Sequence, residues 1–202
     1  MRLLRLPGVH RPRSDTWLLA GALGRERLEG ARVVDLCTGT GALAITAARG
    51  RAEAVTAVDL TRRGWLAARI NAALNGVRVR VRRGDLFEPV GDDRVDVIVT
   101  NPPYVPAETD ALPRHRAAVA LDAGRDGRAL IDRICREAPS RLAPGGVILL
   151  VQSSVCGIET TCRALRTQGL EVEVVERQRG PLGPILRARA PMLRDRGLLG
   201  DR

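Results

Sequence analysis

The run Val33-Val34-Asp35-Leu36-Cys37 is rich in β-formers and stops at Thr38-Gly39-Thr40-Gly41, after which Ala42 to Arg49 is an Ala-rich helical segment. A strand, a glycine turn and a helix in that order open a parallel α/β unit. The same grammar then repeats. Ala54 to Val58 reads as a second strand that stops at Asp59. Thr61 caps a helix carrying Leu66, Ile70, Ala73 and Leu74 at helical spacing, closed by Asn75-Gly76. Val77, Val79 and Val81 alternate with Arg78, Arg80 and Arg82 in a third, half-exposed strand suited to a sheet edge, where charge discourages edge-to-edge pairing. That arginine row could also meet an acidic partner, but a solvated edge is the preferred reading. Gly84-Asp85-Leu86-Phe87-Glu88-Pro89 is a turn, and Val95 to Val99 is a fourth strand.

The fourth strand ends in Thr100-Asn101-Pro102-Pro103-Tyr104. Two prolines fix φ and lack N–H donors, so the carbonyls around them cannot continue a ladder. Asn101 brings an amide that both donates and accepts, and Tyr104, the only tyrosine of the chain, brings a flat ring. Together they form a slot for a planar –NH2 group, its protons held by Asn101 Oδ1 and a proline carbonyl and its plane against the ring. A Pro-rich turn that merely ends a strand is the bland alternative.

The glycine turn matches a dinucleotide fingerprint as literally written, Gly39-x-Gly41-x-x-Ala44 with Asp59 eighteen residues past Gly41. Physical chemistry argues against a dinucleotide. Asp35 lies four residues before Gly39, beside the turn that would have to cradle a pyrophosphate. A ligand with a cationic end turns that repulsion into attraction, and S-adenosylmethionine carries a sulfonium and an ammonium and no phosphate. In this reading Asp35 faces the methionine end, and Gly39 and Gly41 allow close backbone approach. Asp59 holds both ribose hydroxyls, and Asp85 accepts from the adenine amino group with Leu86 along the ring. Acids at the ends of three successive strands fall where open α/β sheets bind ligands.

The remaining segments are read more coarsely. Residues 1–30 are a basic arm followed by a helix, Thr16 to Leu23, capped by Ser14 or Asp15 and packing Trp17, Leu18, Leu19 and Leu23 inward. Residues 31–202 form the body of a single domain. Residues 105–125 are a long polar stretch with the character of a flexible lid. A helix from about Gly127 buries Ile131, Ile134, Cys135 and Ala138 and is interrupted at Pro139. Pro144-Gly145-Gly146 turns into a fifth strand, Val147 to Val151, and a helix near Val155 to Gln168 ends at Gly169. Strands Glu171 to Val175 and Ile185 to Ala190 flank a Gly-Pro turn as an antiparallel hairpin.

Composition excludes more than it assigns. Cys37, Cys135, Cys156 and Cys162 have no C-x-x-C spacing, and His10 and His115 are isolated, so neither a zinc site nor a Cys–His pair is read. No apolar run is long enough to span a bilayer, which points to the cytoplasm. The net charge is +10, and all 33 basic residues are arginine. A total lack of lysine looks like a bias over the whole sequence rather than one selected patch, and four aromatic residues are poor provision for stacking bases. Nucleic acid is therefore the lesser reading.

On these motifs the chain resembles the class I S-adenosylmethionine-dependent methyltransferases and, within them, the HemK/PrmC group of glutamine amide methyltransferases. The residues that carry the resemblance are Asp35 to Gly41, Ala57-Val58-Asp59-Leu60, Asn71-Ala72 with Asn75-Gly76, Gly84 to Phe87, Asn101 to Tyr104, and Ala120-Leu121-Asp122-Ala123-Gly124-Arg125-Asp126-Gly127. The resemblance implies a Rossmann-like α/β fold, a seven-stranded sheet of order 3-2-1-4-5-7-6 with strand seven antiparallel and helices on both faces. It implies that Asn101, Pro102, Pro103 and Tyr104 are catalytic. Thr16, Asp35, Cys37, Gly39, Gly41, Asp59, Leu60, Asp85, Leu86 and Asn101 would contact the cofactor, with no metal. Pro12, Asp15 and Thr16 look like the segment that covers the cofactor in the single-domain branch, which works with a small activator subunit. The implied acceptor is a glutamine side chain of a protein such as a peptide-chain release factor. Cys37 stands where glycine is more usual, and no counterpart of the family's N-terminal helical domain is visible. The alternatives are an exocyclic amine of an RNA or DNA base, a small molecule or peptide, and an adapter that has lost its chemistry.

Overall fold

Val33, Val34 and Leu36 are almost wholly shielded from water, and their β-branched or bulky side chains suit a strand buried on both faces. They form β1 (Arg32–Leu36), the middle of a sheet whose other members are β2 (Ala54–Asp59), β3 (Arg80–Arg83), β4 (Val95–Thr100) and β5 (Leu142–Leu150). The order is β3-β2-β1-β4-β5, and every neighbouring pair is parallel. In this computed structural model residues 1–113 and 117–200 are described. His115, and with it part of the expected 105–125 lid, lies outside them. The chain divides into two compact units, one of residues 1–102 with 137–151 and the other of residues 103–136 with 152–202.

The first unit holds the sheet with α1 (Ser14–Leu23), α2 (Ala42–Arg49) and α3 (Arg62–Leu74). Leu19, Leu23 and Leu28 meet Leu43, Ala44 and Ala47 over Val33, Val55, Val97 and Val99 in one aliphatic cluster. Full burial of each large side chain here contributes about 1.5–3 kcal/mol. Both helices that follow a strand begin where the sequence places them, and Thr61 caps α3 by accepting from the Gly64 N–H at 2.9 Å. The buried face of α3, however, is Gly64, Ala67, Ala68, Asn71 and Ala72, whereas Leu66 and Leu74 are 42% and 50% exposed. The cause is proximity. A Cβ on Gly41 would lie 3.1 Å from the Ala68 backbone, so only small residues fit at that contact. Trp17 also departs from expectation and is 45% exposed.

Asn71 and Asn75, one helical turn apart, fasten the N-terminal arm to α3. Asn71 accepts from the Leu4 N–H (2.7 Å) and donates to the Leu4 and Thr40 carbonyls (both 2.9 Å). Asn75 accepts from the Arg2 N–H (2.9 Å) and donates to its carbonyl (2.6 Å). The fifth strand begins earlier than its sequence suggests. Val95 faces Leu142 and Val97 faces Val147, so Ala143 to Gly146 bulge outward, with Gly145 at φ 74°.

The second unit has a parallel bridge between Val105 and Asp122, a 3-10 turn at Ala117–Ala120, α5 (Ile158–Arg166) and two short helices, α6 (Pro184–Ala188) and α7 (Ala190–Asp195). The chain crosses from this unit to the first within α4 (Ala129–Arg141), which continues through Pro139 rather than breaking there. Two expected strands are absent among the described residues. Residues 171–183 have no regular structure, with Val174 and Val175 at 40% and 55% exposure, and residues 184–195 are helical. Pro184 and Pro191 each occupy a first helical turn, where a missing N–H costs nothing, and Leu, Arg, Ala and Met favour helix. The sheet therefore has five strands, all parallel, and the seven-stranded order with an antiparallel member is not formed. The described part of the 105–125 stretch makes backbone hydrogen bonds within itself. The Val105 and Ala107 N–H groups donate to the Leu121 and Gly124 carbonyls, both at 2.8 Å. No helix among the described residues is long and apolar enough to cross a membrane.

Candidate functional site

Three parallel strands, β1, β2 and β3, bring Asp35, Asp59 and Asp85 to the same end of the sheet, and β4 brings Asn101 beside them. Asp35 is fully buried. Its Oδ2 accepts from Thr38 Oγ1 (2.5 Å) and from the Ala44 N–H (3.0 Å), so it braces the glycine turn and the first turn of α2. Its Oδ1 is buried and has no hydrogen-bonding partner among the described residues. Burial pushes the Asp35 carboxyl up to about 7, against the Thr38 and Ala44 bonds that favour its ionised form, with nearby Asp59 adding to the rise.

Asp59 is already engaged. Its Oδ2 accepts from the Gly39 N–H (2.8 Å), and its Oδ1 from the N–H (2.9 Å) and hydroxyl (2.7 Å) of Thr61. The expected grip on two ribose hydroxyls therefore needs one of these bonds to be shared or released. Gly64 makes room for the carboxylate, since a Cβ there would fall 2.3 Å from it. Leu60 is 54% exposed, whereas Leu86, expected along an adenine ring, is 4% exposed and adopts φ 46°. Asp85 is half-buried, its N–H donating to Glu88 Oε2 at 3.3 Å. Gly39 and Gly41 both adopt positive φ, 55° and 82°, as a turn of close backbone approach requires. Cys37 shares that region at φ 57°, which explains why glycine suits the position and makes the cysteine a strained substitute.

Asn101 is half-buried, with Nδ2 donating to Thr16 Oγ1 at 3.0 Å and to Asp15 Oδ2 at 3.3 Å, while Oδ1 is unengaged among the described residues. Thr16 is buried and held to Asn101. Pro102 is buried as well. Pro103 and Tyr104 open the second unit, where the Tyr104 carbonyl accepts from Cys156 Sγ at 2.9 Å. Burial pushes that thiol up to about 12. A Cβ on Gly127 would lie 2.5 Å from the same carbonyl, so the Asp126-Gly127 turn packs directly on the residue after the prolines.

Sequence reasoning missed the hydroxyls. Thr38 lies three residues after Asp35 and Thr61 two after Asp59, spacings at which a hydroxyl folds back onto a carboxylate. The bond from Asn101 to Asp15 spans 86 positions and leaves no local signal.

The donor set discriminates between ligands. Three carboxylates at adjacent strand ends, one with a buried unfilled acceptor, repel a phosphate and suit a cation that also carries N–H or O–H donors. S-adenosylmethionine fits that description.

Residues 4–180 match the model of the methyltransferase small domain. A candidate protein N5-glutamine methyltransferase of Methanocaldococcus jannaschii is 34% identical over 180 residues, covering 89% of this chain and 90% of that protein. The release factor glutamine methyltransferase of Deinococcus radiodurans is 42% identical over 171 residues, covering 81% of this chain but 60% of its own length. A Thermus thermophilus 16S rRNA N2 G1207 methyltransferase, solved with AdoMet and guanosine, superposes with a TM-score of 0.60 at 28% identity, over 81% of this chain and 41% of that one.

Proposed function

The chain belongs to the methyltransferase small domain family, and from that premise we propose that it methylates the side-chain nitrogen of a glutamine in a protein such as a peptide-chain release factor. S-adenosylmethionine is the methyl donor, supplying an electrophilic methyl group on a sulfonium. The observation that supports the amide acceptor is the state of Asn101. Its amide N–H groups are taken up by Asp15 and Thr16, and its Oδ1 is left at the end of β4 to accept.

An amide nitrogen is a poor nucleophile because its lone pair is delocalised into the carbonyl. In this reading Asn101 Oδ1 and the Pro102 carbonyl hold the two N–H protons of the acceptor and favour a pyramidal nitrogen. Pro103 fixes the backbone, and the Tyr104 ring lies along the substrate plane. Asp35, Gly39, Asp59 and Asp85 bind and orient the donor, with Thr16, Cys37, Gly41, Leu60 and Leu86 around it. The nitrogen lone pair forms the new N–C bond as the C–S bond breaks and its electron pair stays on sulfur. The methylated nitrogen then releases one proton to water. Positioning of this kind supplies several kcal/mol, about 7–11 at the upper limit, and oriented dipoles stabilise the charge developing on nitrogen.

Asn101→Ala removes nearly all turnover while donor affinity, measured by calorimetry, falls only modestly. Activity within about tenfold of the parent enzyme would refute the role given to Asn101. A second reading, an exocyclic amine of a nucleic-acid base, is favoured by the likeness to the rRNA enzyme and by the exposed Arg78, Arg80 and Arg82. Incubation with labelled donor and either ribosomal RNA or a Gly-Gly-Gln-containing release factor separates the two by which becomes labelled.

A further inference from the structure

We infer that Asp15 is a positioning residue that fixes which end of the Asn101 amide meets the acceptor, and so restricts the acceptor to a group that donates a hydrogen bond, as an amide or amine nitrogen does. The inference rests on the amide-methylation reading above and deepens it. Asn101 Nδ2 is within hydrogen-bonding distance of two oxygens, Asp15 Oδ2 at 3.3 Å and Thr16 Oγ1 at 3.0 Å. A threonine hydroxyl both donates and accepts, so Thr16 alone would tolerate either orientation of the amide. An ionised carboxylate only accepts. Turning the amide over would set Oδ1 against Asp15 Oδ2, two acceptors facing each other with no proton between them. Asp15 therefore removes the degeneracy that Thr16 leaves.

Asp15 is itself held in place. It sits in the first turn of α1, where the helix dipole favours an acid, and its Oδ1 accepts from the Thr16 N–H at 2.8 Å. A hydrogen bond to a charged acceptor is roughly twice as strong as a neutral one. It also draws electron density toward Asn101 Oδ1, which becomes the better acceptor for a substrate N–H. An amide or amine presents such a proton to Oδ1. A carboxylate or carbonyl presents only lone pairs and is repelled.

Asp15→Asn keeps the shape and removes the acceptor-only character. Its turnover on a Gly-Gly-Gln-containing release factor is expected to fall about 100-fold, the scale of a misplaced catalytic group, with donor affinity by calorimetry within about twofold of the parent. The second readout does not depend on the acceptor. In 15N-resolved NMR spectra of the full chain the two Asn101 side-chain amide protons should be shifted and slow to exchange, and this signature should be lost in Asp15→Ala. Turnover of Asp15→Asn within threefold of the parent, or unchanged Asn101 amide protons in Asp15→Ala, would overturn the inference. If the parent enzyme methylates no glutamine, the acceptor reading fails by itself, and the Asn101 amide signature still decides whether Asp15 orients that side chain.

Discussion

The unit that carries the sheet and the unit that begins at Pro103 are each held together internally, and by opposite means. In the first, Leu36, Ile45, Ile98 and Val99 are wholly shielded from water, and the buried Asp35, Thr38, Thr40 and Thr100 lie at or just beyond strand ends. In the second, arginines act as pegs. Arg128 donates to the Cys156 and Gly157 carbonyls (2.5 and 3.1 Å) and to Thr161 Oγ1 (3.0 Å), and pairs with Asp132 at 2.6 Å. Arg189 joins the Pro106 carbonyl to Asp122, and Arg196 joins the Ala107, Glu108 and Arg125 carbonyls. The guanidinium fork offers five donors and never loses its charge, so one side chain can satisfy several loop carbonyls that have no ladder partner. A basic composition can thus reflect internal cross-linking as well as attraction for nucleic acid.

If the first unit stores its cost in a buried acid, its stability should depend on pH in a way the second unit's does not. Asp35 holds a proton up to about pH 7 in the folded chain, whereas in the unfolded chain it ionises near pH 4. The folded state therefore binds more protons at this carboxyl between these values, so its contribution to stability is greatest below about pH 4, declines as pH rises, and levels off above about 7. The full loss is about 4 kcal/mol, at 1.36 kcal/mol per unit. Asp35→Asn should flatten that slope in urea titrations at a series of pH values. An unchanged slope would show that the carboxyl is not desolvated. Donor affinity should rise across the same interval, because the cationic ligand favours the ionised form.

The second unit should break when a peg is pulled. Arg128→Ala leaves the buried Cys156 carbonyl, the half-buried Gly157 carbonyl and the Thr161 hydroxyl short of a donor, at a cost of about 3 kcal/mol. Hydrogen exchange should show the opening confined to α5 and to residues 152–157. Arg128→Lys should recover little, since one ammonium cannot serve both the three acceptors at Nη1 and Asp132 at Nη2. Full rescue by lysine would mean that charge alone matters and would erase the contrast between the units.

The same contrast governs what was legible in the sequence. Strands β1, β2 and β4, helix α2 and the Thr61 cap were readable because burial on both faces and a glycine turn leave a periodic trace. The acids at the strand ends were readable for the same reason. Residues 171–195 were not, because Val172 and Val174 alternate with glutamates as a strand would, yet no neighbour among the described residues pairs with them. The Asn71 and Asn75 clasp on the arm and the Asp15–Asn101 bond were equally silent. Side-chain bonds between distant residues have no period, and the peptide hydrogen bonds that a sequence pattern does encode play no part in them.

Helix α3 supplies the smallest effect and the most direct check on how its pattern was misread. Leu66, Ile70 and Leu74 recur every fourth position and so read as the packed face, but Leu66 and Leu74 are exposed and Ile70 is only half-buried, while Ala67, Ala68 and Ala72 are buried. Hydrophobic spacing marks a face of the helix without marking which side is covered; the covered side is set by the space between α3 and the glycine turn. Leu66→Gln should therefore change the unfolding free energy obtained from urea titration by no more than about 0.5 kcal/mol, as for an exposed position. The neighbouring Ala67→Leu should cost about 1–3 kcal/mol, because extra methylenes have no room there. A larger loss at Leu66 than at Ala67 would put the leucine stripe back in the core and reverse the account of how α3 sits on the sheet.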